Sequence, residues 1–118
     1  MTDTIDQFFL AWGEADPARR RDLIAGAMAA DFAYADPRTV RDITTLDALA
    51  EYVGQFTDSA PGWTARVVQS DGHGNHRRAI VAFGDGQGTR QHGSYYARLH
   101  EDRIAALIGF KGAGGLTA

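Results

Sequence analysis

Apolar residues recur at helical spacing through the first half of the chain and alternate with polar ones through the second. Ile5, Phe8, Phe9 and Trp12 stand three and four residues apart, the mark of one helix stripe. Gly13 and "EADP" end it. Asp16 then Pro17 opens a second helix: an N-cap acceptor, then the residue whose missing N–H costs nothing in a first turn. Leu23, Ile24, Ala27 and Met28 carry it toward Asp31. Leu46, Leu49, Tyr52, Val53 and Phe56 mark a third helix, capped by Thr44 or Thr45 and stopped before "SAPG".

The second half reads as strand. "WTARVVQS", "RRAIVAF", "SYYARLH" and "RIAALIGF" are joined through "DGHGN", "GDGQG" and Glu101–Asp102, and such short turns imply an antiparallel meander. "DFAYADP" is a further short strand between the second and third helices. The expected fold is α+β: a cone-shaped, curved antiparallel sheet covered by three N-terminal helices, with an internal cavity at its open end. A chain of 118 residues forms one domain, 1–118, with 112–118 expected as a loose tail.

Composition narrows the function. The formal net charge is −3 and the basic runs "ARRRD" and "HRR" are short and flanked by acids, so no nucleic-acid partner is expected. The absence of cysteine excludes disulfides, thiol nucleophiles and thiolate metal sites. "MTDTIDQFFLAW" lacks a basic start followed by an apolar run, and no stretch has bilayer-spanning length. The expected location is the cytoplasm, with no membrane partner. Lys111 is the only lysine among the basic residues, a bias that suggests a GC-rich bacterial genome.

Four stretches, "FFLAWGEAD", "DFAYADP", "LDALAEYVGQF" and "YYARLHEDRIAALIGF", taken in that order, resemble the nuclear transport factor 2-like superfamily, and within it the SnoaL-like and ketosteroid isomerase-like bacterial members. The resemblance runs from about Ile5 to Lys111. One small departure is Ile43-Thr44-Thr45, where the family often has an "I-x-G" stretch. The superfamily holds isomerases, cyclases, dehydratases and epoxide hydrolases as well as non-catalytic carriers and subunits, so function must rest on the site. No cofactor or metal is implied.

Asp36, just before Pro37, falls where ketosteroid isomerase-like members place the aspartate that takes a proton from beside a carbonyl. Desolvation at an apolar cavity favours such a base. The plainer reading is a turn aspartate before proline. By ungapped comparison, the family's first-helix tyrosine falls at Phe8 and its strand acid near Tyr95, so both of that enzyme's oxyanion donors are missing in kind. Tyr95 is a candidate replacement donor, sharing one strand face with Ala97 and Leu99. His92 alternates to the other face unless Gly93 carries a bulge. SnoaL-like cyclases use a histidine near this strand, so His92 is a second candidate.

Phe8, Trp12, Tyr34, Tyr52, Phe56, Trp63 and Phe110 are the expected pocket residues, with core packing as the bland account of each. His73 and His76 read as loop histidines rather than metal ligands. "GDGQG" precedes strand, so it is a hairpin turn and no phosphate loop. Tyr96, Arg98, Arg66 and Arg78 on the sheet's outer face suit a homodimer contact. Three functions follow: acid–base catalysis on an apolar carbonyl compound, non-catalytic binding of a hydrophobic ligand, or a protein-interaction module.

Overall fold

A computed structural model describes residues 3–112. Helix α1 spans Thr4–Leu10 and tightens into a 3₁₀ turn over Ala11–Gly13. Helix α2 spans Pro17–Ala27, and the Asp16 side chain accepts from the Ala18 N–H as an N-cap should. Strand β1 (Met28–Ala35) follows without a loop. Helix α3 (Leu46–Ser59) is capped by Thr45, whose Oγ1 accepts from Ala48 N. Strands β2 (Thr64–His73), β3 (His76–Asp85), β4 (Gly88–His100) and β5 (Arg103–Lys111) complete the fold.

The sheet order is β1-β5-β4-β3-β2. Strands β2 to β5 form the expected antiparallel meander, but β1 pairs with β5 in parallel, so the sheet is mixed rather than purely antiparallel. The physical reason is α3: the chain crosses over the sheet between β1 and the meander, and β1 joins the meander's last strand, not its first. Register shifts interrupt all four strand pairings, at Met28/Ala33, Val67/Gln69, Phe83/Gly84 and Arg98/Leu99. Each bends its strand, and together they curve the sheet without closing it.

The helices cover the concave face. Phe8, Phe9, Ile24, Leu49 and Val53 meet Val81, Ala97, Ile104 and Leu107 in one buried cluster. The one buried charge among the described residues, Arg20, lies in α2 and donates to the carbonyls of Glu14 and Ala15, tying the turn before α2 to its own helix. Gly54 of α3 is there for room, since a Cβ would come within 2.9 Å of the Arg20 guanidinium. No described helix is long and apolar enough to cross a membrane. The expected tail, 112–118, lies outside the described residues except for Gly112.

Candidate functional site

Strand β1 delivers Asp36 to the end of the sheet. Its Oδ1 accepts from the Arg38 N–H at 2.9 Å, its N–H donates to Thr39 Oγ1, and its carbonyl accepts from Thr39 N. This is an aspartate turn, the reason an Asp-Pro pair stands here. The other carboxylate oxygen does something else. Oδ2 accepts from the Tyr34 hydroxyl at 2.6 Å and from the Tyr52 hydroxyl at 2.5 Å. Asp36 is thus both a turn residue and a carboxylate in a polar cluster. Tyr34 shares its strand face, two residues back, and Tyr52 comes from α3. An isolated bridge between Tyr34 and Ile43 folds the intervening loop back against β1.

The phenols respond to that setting. Burial raises Tyr34 well above the ordinary tyrosine value, with the neighbouring Tyr95 and the Asp36 carboxylate adding to it. Burial also raises Tyr52, followed by its hydrogen bond to Asp36. Tyr95 is raised by burial and then by the Asp36 charge, against the Tyr34 hydroxyl and the Arg38 charge. All three keep their protons well past neutrality.

A stability consequence follows from linkage. Each folded-state value lies above the unfolded value of 10.0, so its contribution is fully present below pH 10 and is lost as pH rises from there through the folded values. The urea midpoint is expected to stay level in this respect up to about pH 9.5 and to fall beyond pH 10. Tyr52→Phe should flatten that alkaline fall. An equally steep fall in the variant would remove Tyr52 from the account.

Beside Asp36 opens a cleft of about 660 Å³. That is room for a small organic ligand. Trp12, Tyr52, Phe56, Phe83 and Tyr95 form its apolar wall, while Asp36, Arg38, Gln55, Gln91 and Lys111 supply its polar groups. Of the expected pocket residues, Trp12, Tyr52, Phe56 and Phe110 line it, whereas Phe8, Tyr34 and Trp63 do not. Phe8 and Tyr34 are wholly buried behind the wall, 5.8 Å apart between ring centroids. Trp63 packs on Phe56 instead. Phe110 alternates with Gly109 and shares the outer face with Ile108, so it meets the cleft only at the rim.

Tyr95 is where its strand alternation puts it, on the inner face with Gly93, Ala97 and Leu99. Two glycines seat its ring. A Cβ at Gly109, its cross-strand partner, would stand 2.5 Å from Tyr95 Cε2, and one at Gly93 would stand 3.0 Å from Cε1. Phe9 packs on it edge to face, with ring centroids 4.8 Å apart. His92 is exposed, and the register runs unbroken through Gly93, so no bulge turns its side chain inward. It borders the cleft at the rim. His76 lies elsewhere, hydrogen-bonded and stacked on Tyr96. Among the described residues no cluster of His, Asp and Glu could hold a metal ion.

Phe83, Gln91, Arg38 and Lys111 escaped the sequence reading. Phe83 and Gln91 are register partners across β3 and β4, so locating the bulge at Phe83/Gly84 would have found them. Among the described residues, the buried Trp12 indole N–H has no hydrogen-bond partner.

No family model and no curated protein sequence matches this chain. Solved structures do. A proposed isomerase of the SnoaL-like family from Agrobacterium tumefaciens is similar over 93% of this chain and 95% of its own, with 26% identity and a TM-score of 0.82. A proposed polyketide cyclase from Sinorhizobium meliloti is similar over 92% and 94%, with 16% identity and a TM-score of 0.72. A ketosteroid isomerase-like fold from Catenulispora acidiphila, solved with trimethylamine, is similar over 96% and 88%, with 13% identity and a TM-score of 0.74.

Proposed function

The chain is a SnoaL-like member of the nuclear transport factor 2-like superfamily, and from that premise we propose that its cleft binds a small apolar carbonyl compound on which Asp36 acts as general base. The observation that carries this is the division of labour on one carboxylate. Oδ2 is filled by two phenol donors, while Oδ1 accepts only the Arg38 N–H and keeps a lone pair. In the proposed step the C–H bond beside the carbonyl breaks and Oδ1 takes the proton. The electron pair moves onto the carbonyl oxygen, forming an enolate that Tyr95 steadies by hydrogen bonding. Return of the proton to another carbon completes an isomerisation; loss of a leaving group gives a lyase outcome. His92, at the rim, is the weaker donor candidate.

The test needs no knowledge of the natural substrate. With β-tetralone in D₂O, the protein should speed α-proton exchange about 100-fold or more over buffer, the usual scale of a positioned base. Asp36→Asn should remove that excess. Binding of β-tetralone without exchange would support the second reading, non-catalytic ligand binding. That reading is favoured by Phe8, which puts no hydroxyl where the resemblance requires one.

Partners of the outer sheet face belong to the same proposal. Tyr96, Ile108 and Phe110 are 37%, 41% and 57% exposed, and Tyr96 pairs with Ile108 across the β4–β5 ladder, flanked by Arg98. Aromatic residues with arginine suit an interface, and we assign this face to a homodimer in the cytoplasm. Sedimentation should give twice the chain mass, and Tyr96→Glu with Ile108→Glu should give the monomer. A wild-type monomer at tens of micromolar would overturn it.

A further inference from the structure

We infer that the ligand of this cleft is an anion: a carboxylic acid with an apolar, ring-sized body. The inference rests on the cleft being the binding site and goes beyond it in naming the charge. Three features of the lining point the same way.

The first is the charge balance. The chain carries a formal net charge of −3, yet the charged groups lining the cleft are Arg38, Lys111 and Asp36. Among the described residues, neither Arg38 nor Lys111 has a carboxylate within ion-pair distance, although four other arginines do. Asp36 does not neutralise them by contact. It faces two phenols and a backbone N–H instead.

The second is the direction of the side chains. Lys111 stands opposite Gly93 on the adjacent strand, with the inner-face parity of Leu107 and Gly109. Gln91 has the inner-face parity of Gly93 and Tyr95. The Arg38 charge is close enough to lower both Tyr52 and Tyr95, against the rise that burial gives them. Both cations therefore act on the cleft side of the sheet.

The third is the kind of polar group on offer. Arg38 and Lys111 are donors only, and Gln55 and Gln91 beside them can each offer amide N–H groups to a ligand acceptor. Asp36 is the one anionic acceptor of the lining, and its hydrogen bonds to Tyr34, Tyr52 and the Arg38 N–H take up most of its capacity. A ligand that satisfies such a lining brings acceptors and negative charge. The aromatic wall asks for an apolar body in the same molecule, since burying a free anion against Trp12 and Phe83 would leave it unpaired. A carboxylate at the mouth and a ring system against the wall meets both demands.

The test compares two probes with the same ring body, one anionic and one neutral: 2-naphthaleneacetic acid and its methyl ester. Binding to the full chain is read at pH 7.5 by quenching of Trp12 fluorescence in a Trp63→Phe background, with isothermal calorimetry as a check. The acid is expected to bind about tenfold tighter than the ester, the scale of one charge-assisted contact. Arg38→Gln or Lys111→Gln should reduce that preference to about threefold or less, and added salt should narrow it in the wild type. Circular dichroism on both variants separates a lost contact from a lost fold. Equal binding of acid and ester overturns the anion inference and leaves the apolar cleft standing. Binding of neither probe overturns the cleft as a ligand site, and the inference with it.

Discussion

Asp36→Ala is expected to lower folding stability by about 3 kcal/mol, although Asp36 is itself only half-buried. The cost arises in its partners. The Tyr34 hydroxyl is fully buried and loses its one acceptor, and a stranded buried donor costs about 1–3 kcal/mol. The Tyr52 hydroxyl is stranded too, though it borders the cleft and regains some water. The Arg38 N–H loses its turn acceptor as well. Asp36→Asn keeps a carbonyl and supplies an amide that phenol oxygens can accept, so about half that loss is expected. Urea denaturation of a double-mutant cycle checks the cause. In the Asp36→Ala background, Tyr34→Phe should cost nothing or stabilise, because the hydroxyl it removes is already unpaired. If Tyr34→Phe is as harmful there as in the wild type, the Asp36 cluster does not hold the fold.

Gly109→Ala is expected to cost about 2–3 kcal/mol, more than Gly93→Ala. Neither effect comes from backbone strain, since neither glycine has a positive φ. The added methyl would meet Tyr95 at 2.5 Å from position 109 and at 3.0 Å from position 93. The contact is with the body of a ring held by Phe9, not with the end of a flexible chain, so the ring must leave its seat. Tyr95→Ala should therefore erase most of the Gly109→Ala penalty. In the proposed chemistry Gly109→Ala should also impair β-tetralone exchange more than β-tetralone binding, because Tyr95 steadies the enolate. Equal stability of the two glycine variants would contradict this seating.

The same residues show what the sequence could convey. The α3 stripe and the Asp16–Pro17 start were legible because helix periodicity and capping are local signals. The α2–β1 junction was not: Met28 belongs to β1, because a run of Met and Ala suits a helix until pairing with Ile104 on β5 claims it. The polar arm Gly88–His92 lies in β4 but carries no apolar alternation, being exposed until Gly93. Asp36 and Tyr95 could be singled out from a dipeptide and a strand parity. The hydrogen bonds of Asp36 to Tyr34 and Tyr52 could not, since a partner sixteen residues away leaves no periodic trace. Arg38 and Lys111 carry no local signal in the sequence, and only the fold brings them to one cleft.

One measurement bears most directly on the account: the ¹³Cγ resonance of Asp36, assigned with Asp36→Asn and followed while β-tetralone is added. If the cleft is the binding site, this resonance should be among the most strongly perturbed in the protein and should saturate with the ligand. Perturbations confined to the outer face around Tyr96 and Ile108, with Asp36 unmoved at saturation, would contradict the account.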